Sequence, residues 1–200
     1  MSIETEDVDL VGEAVAENLA RTAVFAALMG ALALVSFPYP LSPSPVTLQV
    51  LGVFLAGIML GPVWGGTALV LYLFAGALGA PVFSGGSAGL TTLFGPTGGY
   101  LIAFPIAAFA VGLVVHGGLE LDDYREVGIP RLLAGMIAGT VIIYALGTAG
   151  LYYVFATTPD LPGWTVGKAI VSGALVFLPA EALKMAAAVG VVRSEFVAAE

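Results

Sequence analysis

Residues 46–78 read VTLQVLGVFLAGIMLGPVWGGTALVLYLFAGAL and contain no charged side chain. An apolar stretch of about 20 residues spans the roughly 30 Å hydrocarbon core of a bilayer, so this stretch is long enough to enter a membrane. Gly61 and Pro62 interrupt it and divide it into two short predicted helices, 46–60 and 63–78. We expect one or both of these helices to tilt, stop early or be re-entrant.

The rest of the chain has the same apolar character. Of its 200 residues, 59% are hydrophobic and only 10% are charged, which indicates an integral membrane protein. Backbone groups in lipid must be satisfied within the protein, and the alternating pattern of a membrane β-barrel is absent, so the spans are predicted to be helices. The predicted fold is an all-α membrane protein with six transmembrane helices in one compact bundle at 21–200, after an acidic tail at 1–20. The predicted helices cover residues 22–37, 46–60, 63–78, 100–116, 131–156 and 168–192.

The few charged residues predict the topology. With an even number of spans, both termini lie on one side of the membrane together with all four arginines, and Lys168 lies on the other. Because basic residues concentrate in cytoplasmic loops, we expect cytoplasmic termini and a multi-pass protein of the cell membrane. The net charge of −8 disfavours nucleic acid as a partner. The four arginines are Arg21, Arg125, Arg131 and Arg193.

Motifs for catalysis and for cofactors are incomplete. Residues 85–89, GGSAG, fit the G-x-S-x-G pattern of hydrolases, but a membrane span precedes them where that motif needs a strand. Residues 163–169, GWTVGKA, are one residue too short for a phosphate loop and lack its final Ser or Thr. Cysteine is absent and His116 is the only histidine, which excludes thiolate chemistry and a histidine cluster, so His116 is interpreted as satisfied or solvated. We expect no enzyme activity, no metal and no cofactor.

Two connections on the predicted outer side, residues 38–45 and 80–99, carry no charge and are rich in Pro or Gly. Connections of this kind are expected to fold back into the protein. In the second connection, glycines offer backbone N–H groups to a ligand, and Phe83, Phe94 and Tyr100 are candidates for an apolar wall.

Glu181 and Lys184 lie in the last predicted span, within FLPAEALK at 177–184. A charge near the bilayer centre costs about 2.5 to 3.5 kcal/mol, so such residues tend to face a cavity and to be functional. Their spacing places both on one helix face, and Pro179 loosens the turn before them. A carboxylate only accepts hydrogen bonds and an ammonium only donates them, so the pair suits a group with N–H donors beside a carbonyl, such as a cyclic urea or amide.

Two other interpretations of this pair stay open. Glu181 and Lys184 can form an ion pair that merely neutralises itself between helices, although apolar residues usually do that as well. Alternatively, the chain is a self-contained, proton-coupled secondary transporter in which Lys184 tunes a proton-carrying Glu181.

Small residues recur at four-residue spacing, which lets helices approach closely. Gly57, Gly61 and Gly65, and also Gly135 and Gly139, are interpreted as packing within the bundle. The row on the first span is a candidate for docking a partner protein, and self-association into a homo-oligomer is also left open. That row is Ala23, Ala27 and Ala31.

With these features the chain resembles the BioY family, the biotin-specific S components of energy-coupling factor (ECF) transporters. The resemblance covers nearly everything after the acidic tail and depends on six motifs in the same order. The motifs are Val46 to Val53, Leu60-Gly61-Pro62, Gly79 to Gly86, Gly95 to Tyr100, Tyr144-x-x-Gly147-x-x-x-Leu151 and Pro179-Ala180-Glu181-x-x-Lys184.

The resemblance implies a six-helix subunit that binds biotin from outside and releases it inward with a transmembrane coupling protein and two ATPases, so that ATP acts only on the partner subunits. It also implies that Glu181 and Lys184 recognise the ureido ring. Where some members carry arginine this chain has Ser87, so backbone N–H groups or Ser87 are candidates to bind the valerate carboxylate. The full predicted binding set is Gln49, Phe83, Gly86, Ser87, Tyr100, Tyr144, Glu181 and Lys184.

Overall fold

The computed structural model describes residues 12–158 and 163–194. These residues form helices almost throughout, with one small antiparallel sheet in which Ser36 pairs with Thr47. Five helical stretches among them are long and apolar enough to cross a membrane. The elements are α1 (Glu13–Leu34), β1 (Ser36–Phe37), β2 (Val46–Thr47), α2 (Gln49–Ala77), α3 (Leu90–Leu93), α4 (Gly98–His116), α5 (Ile129–Thr157), α6 (Val166–Gly173) and α7 (Leu178–Arg193).

Helix α2 contains both of the short helices predicted between residues 46 and 78, and the chain reverses direction between them. Gly61 has φ 74° and ψ −176°, a conformation that favours glycine, and Pro62 follows it. The side-chain amide of Gln49 donates a hydrogen bond of 2.8 Å to the hydroxyl of Tyr72. In a straight helix these two residues would be about 35 Å apart. The two legs of α2 are therefore antiparallel and form a helical hairpin.

Helix α1 begins at Glu13, so part of the predicted acidic tail is helical. Glu17 and Arg21 pair across one turn of this helix at 2.6 Å. The helix ends at Leu34, earlier than the predicted residue 37, because the chain then enters β1. Residues 1–11 of the predicted tail lie outside the described residues.

Helix α2 lies at the centre, where it packs against α1 and α4, and α4 packs in turn against α5. Gly57 faces the backbone of Ala108, and Gly139 faces the side chain of Val111, so a Cβ at either glycine would collide with its neighbour. The prediction that these small residues serve packing within the bundle is confirmed for both positions.

The last predicted helix, 168–192, is divided into α6 and α7 by a break. Ala174 has φ −134° and ψ −62°, which is not helical, and a 3₁₀ turn at Leu175–Phe177 follows. Pro179 occupies the first turn of α7, where its missing N–H removes no helical hydrogen bond. The prediction of one continuous helix is therefore wrong here, and the break starts α7 in the interior of the bundle.

Polar contacts fix the end of the bundle where α4 and α7 end. Arg193 donates hydrogen bonds to the carbonyls of Arg125 and Val127, and Nε of Arg131 donates to the carbonyl of Val114 at 2.9 Å. Arg125, Arg131 and Arg193 thus lie at one end of the bundle. This agrees with the predicted topology, which places all four arginines on the same side of the membrane. The connections 38–45 and 80–99 lie at the opposite end, where the first connection and Lys168 of α6 line the same shallow groove.

His116, at the end of α4, is buried and satisfied on both ring nitrogens. Its Nε2 lies 2.9 Å from the carbonyl of Ile58, which can only accept, and its Nδ1 accepts from the backbone N–H of Asp122 at 3.1 Å. These partners assign the proton to Nε2 and confirm the interpretation of His116 as a satisfied histidine.

Candidate ligand-binding cavity

A cavity lies among α2, α4, α5 and α7, on the side of the two uncharged connections. The cavity measures about 60 Å³. Its wall is mostly apolar with a few polar groups. The lining residues are Ser44, Pro45, Val46, Thr47, Gln49, Val50, Ser84, Thr97, Tyr100, Leu101, Phe104, Ile143, Tyr144, Phe177, Glu181 and Lys184.

Glu181 and Lys184 project into this cavity from the first turns of α7. Nζ of Lys184 lies 2.6 Å from Oε1 of Glu181, and the two residues are only 6% and 1% exposed. The start of a helix carries a partial positive charge, which favours a carboxylate at position 181. The break before α7 therefore places a buried anion where the helix itself stabilises it.

The Glu181 carboxylate is held on one oxygen only. The hydroxyl of Tyr144 donates to Oε1 at 2.8 Å, and Lys184 donates to the same atom. The other oxygen, Oε2, is buried and has no hydrogen-bond partner within the described residues. A buried acceptor without a donor is costly, so this oxygen is available for a donor that a ligand supplies.

Aromatic rings form one side of the cavity. Phe177 stacks on Tyr144 with ring centres 6.0 Å apart and planes 19° from parallel. Tyr100 meets Tyr144 edge to face at 6.1 Å, and its hydroxyl donates to the carbonyl of Gly173 at 2.7 Å. This last bond ties α4 to the residue just before the helix break. Gly147 makes room for the Tyr100 ring, since a Cβ there would collide with it.

Gln49 reaches the cavity from the first turn of α2 and is fixed by two side chains. Its Oε1 accepts from the hydroxyl of Thr47 at 2.9 Å, and its Nε2 donates to Tyr72. The amide is therefore oriented before any ligand binds.

Five of the eight predicted binding residues line this cavity: Gln49, Tyr100, Tyr144, Glu181 and Lys184. Phe83, Gly86 and Ser87 do not. The N–H of Phe83 bonds to the carbonyl of Ser87 at 3.0 Å, which closes a turn around the 3₁₀ segment Ser84–Gly86. That turn directs the Phe83 ring away from the cavity and against Gly76 and Tyr72, where it is fully buried.

Four hydroxyl-bearing residues that the sequence analysis did not predict as binding residues line the cavity. Ser44 and Thr47 line the cavity from the first connection and β2, and Ser84 and Thr97 line it from the second connection. Serine in a loop gives no signal by its type alone. The flanking prolines at 43 and 45 were the available clue, because they fix the backbone on either side of Ser44.

The predicted docking row on α1 is exposed. Ala23, Ala27 and Ala31 all face outward, on the span with the smallest buried share of the five. The row thus forms a strip of small side chains that the described part of the chain, residues 12–158 and 163–194, leaves uncovered.

Comparison with known proteins gives a consistent result. The profile of the BioY family matches residues 4–198. The chain is 37% identical over 174 residues to the probable biotin transporter BioY of Pyrococcus horikoshii, covering 87% of this chain and 93% of that protein. It is 39% identical over 174 residues to the biotin transporter BioY of Rhizobium etli, covering 84% and 86%. Among solved structures, the S-component for biotin from an ECF-type ABC transporter superimposes with a TM-score of 0.74 at 25% identity, covering 92% of this chain and 93% of that one.

Proposed function

The chain belongs to the BioY family, and from this membership and the cavity we propose that it is the biotin-binding membrane subunit of an ATP-driven uptake system. It binds biotin in the cavity at Glu181 and Lys184 and does not itself hydrolyse ATP. The single observation that carries this proposal is the half-satisfied carboxylate of Glu181.

The ureido ring of biotin has two N–H donors beside one carbonyl, and the polar groups of the cavity complement it. Oε2 of Glu181 lacks a donor among the residues described and accepts one ureido N–H. Lys184 has three N–H donors, of which one is used by Glu181, so another is available for the ureido oxygen. Phe177 and Tyr144 supply flat apolar surface beside this polar end.

The subunit takes its ligand from outside the cell. Three arginines lie at one end of the bundle, and the cavity and Lys168 lie toward the other. Because basic residues favour the cytoplasmic side, the cavity end is external and the termini are cytoplasmic. The protein is a multi-pass protein of the cell membrane.

Six helical segments cross or enter the membrane in this proposal. The reversal at Gly61 turns α2 into two antiparallel legs, which adds one segment to the five long apolar stretches. At 1.5 Å per residue the legs are about 18 and 24 Å long, so the bilayer thins around them.

Release of biotin inward depends on a coupling protein and two ATPase subunits. The exposed row Ala23, Ala27 and Ala31 suits close approach by a helix of the coupling protein. Energy then comes from ATP on the partner subunits, in agreement with the incomplete phosphate loop at 163–169.

Two measurements test this proposal. Isothermal titration of the purified protein in detergent should show tight binding of biotin, and no heat from a folded sample would exclude biotin as ligand. Uptake into liposomes should require the added coupling and ATPase subunits together with ATP. Biotin uptake driven by a pH gradient in liposomes that hold this chain alone would instead support the proton-coupled alternative.

A further inference from the structure

Ser44 carries a second buried polar atom without a partner in the same cavity. The residue is 6% exposed, and its Oγ makes no hydrogen bond to any residue that the structure describes. Ser44 lines the cavity together with Glu181, whose Oε2 is also buried and without a hydrogen-bond partner in the described chain. Two residues that line one cavity thus each carry a buried polar atom without a partner in the described chain, and each is a candidate to bond with a ligand.

The backbone around Ser44 is restrained, which limits the region that its hydroxyl can reach. Prolines at 43 and 45 restrict the chain on both sides, and the N–H of Ser44 donates to Oγ of Ser42 at 3.0 Å. The connection then enters β2, which pairs with β1. The backbone that carries this hydroxyl therefore loses little freedom when a ligand binds.

Ser44 lies nearer the external mouth than the charged pair. It belongs to the first connection, whereas α7 runs from the cavity toward the arginines at the other end of the bundle. If the ureido ring is bound at Glu181 and Lys184, as the proposed function requires, the valerate chain extends toward the connections. Its carboxylate then meets the hydroxyls of Ser44, Thr47, Ser84 and Thr97.

The cavity offers this carboxylate no second cation. Lys184 is the only basic residue in the lining among the residues described, and the proposed function assigns its Nζ to Glu181 and to the ureido oxygen at the other end of the ligand. Thr47 and Ser84 are also engaged, with Gln49 and Ser36 respectively. Among these hydroxyls, the Oγ of Ser44 is the buried atom that lacks a partner in the described chain.

We propose that Ser44 is a specificity-determining residue that donates a hydrogen bond to the ligand carboxylate, and that this chain binds that end through neutral hydroxyls rather than through a cation. The proposal rests on the proposed function. Its consequence is a weak requirement for negative charge, because a neutral donor also bonds to an uncharged acceptor such as an amide carbonyl.

The first experiment varies the ligand and uses the wild-type protein. Titration of the wild-type protein compares biotin, biotin amide, and an analogue with an unsubstituted alkyl chain in place of the valerate. Biotin amide should bind within about tenfold of biotin, and the alkyl analogue should bind about 10 to 100 times more weakly, because the buried hydroxyl of Ser44 then has no acceptor on the ligand. A loss of more than about a hundredfold with the amide would overturn binding by neutral hydroxyls.

The protein side uses Ser44→Ala, with Thr22→Val as the matched control. Thr22 also has a buried hydroxyl without a partner in the described chain, but it lies on α1 outside the cavity lining. We expect Ser44→Ala to weaken biotin binding about tenfold or more and to leave binding of the alkyl analogue unchanged, whereas Thr22→Val changes neither. Equal loss for biotin and the alkyl analogue, or no loss for biotin, would overturn the role of Ser44.

The two proposals fail differently. If the wild-type protein does not bind biotin, the proposed function fails. If it binds biotin but Ser44→Ala binds equally well, only the role of Ser44 fails. Should Ser44→Ala not fold, the three-ligand comparison on the wild-type protein still decides the question of charge.

Discussion

The hydroxyl of Tyr144 donates a 2.8 Å hydrogen bond to Oε1 of Glu181, across the gap between α5 and α7. Lys184 donates to the same oxygen, so both protein donors lie on one side of the carboxylate. The second oxygen has no partner among the described residues. If a ligand binds at this oxygen, as proposed, Tyr144 influences its binding by positioning Glu181.

Replacing Tyr144 with Phe removes this bond and keeps the ring that stacks on Phe177. We expect a loss of about 0.5 to 1.5 kcal/mol in biotin binding, roughly a two- to twelvefold rise in Kd, because Lys184 still holds Oε1. Titration calorimetry measures the change. Tyr152→Phe on the same helix is the control, since Tyr152 lies outside the cavity, and an equal effect in both variants would contradict a specific role for the Tyr144 hydroxyl.

Replacing Glu181 with Gln removes the charge and exchanges an acceptor for an amide. One ureido N–H then loses its acceptor, and we expect a cost of about 1 to 3 kcal/mol in biotin binding. The same titration reports it, and unchanged affinity would exclude Glu181 from ligand recognition. Glu17→Gln, which alters an exposed ion pair on α1, should leave affinity unchanged.

The double variant Glu181→Leu with Lys184→Met separates ligand binding from stability. Removing one partner of a buried ion pair leaves the other charge uncompensated at a cost of about 3 to 5 kcal/mol, whereas an apolar pair of similar volume is often neutral. We therefore expect Lys184→Met alone to lower the thermal midpoint and the double variant to recover it without regaining biotin binding. A double variant that still binds biotin would show that the pair serves only to neutralise itself.

Two buried phenylalanines, one in the cavity wall and one in the core, allow an effect on ligand binding to be separated from an effect on stability. Phe177 lines the cavity, whereas Phe83 packs between Tyr72 and Gly76 outside it. Replacement of either by Leu should lower the thermal midpoint, since both are nearly inaccessible to solvent. Only Phe177→Leu should also weaken biotin binding, by roughly 0.5 to 1.5 kcal/mol for the lost aromatic contact. Weaker binding in Phe83→Leu at temperatures well below its midpoint would support the prediction that Phe83 belongs to the binding set.

The charged pair was predictable because a charge in an apolar span is rare and costly. Glu181 and Lys184 therefore stand out by residue type, and their spacing places both on one face of α7. The apolar stretches were predictable as well, because hydropathy alone identifies them. Their ends were less so, as the early start of α1 at Glu13 shows, because tertiary contacts and not hydropathy decide where a helix begins.

Features that depend on local backbone geometry were not predictable. The glycine-rich connection suggested backbone N–H donors for a ligand and an apolar wall that includes Phe83, but the turn between Phe83 and Ser87 directs the Phe83 ring into the core. The orphaned hydroxyl of Ser44 depends on what surrounds it in three dimensions. Residue type determines neither the direction of the turn at Phe83 nor the absence of a hydrogen-bond partner for Ser44, because both depend on the three-dimensional structure.

The hairpin in α2 also constrains how the protein is made. Neither leg, at about 18 and 24 Å, matches the roughly 30 Å of a bilayer, so we expect the two legs to insert together as one apolar hairpin and not as two independent spans. Insertion would then depend on position 61, which has φ 74°. We expect Gly61→Ala to reduce the amount of protein that reaches the membrane, as fluorescence of a C-terminal fusion would measure, while the molecules that do insert bind biotin normally.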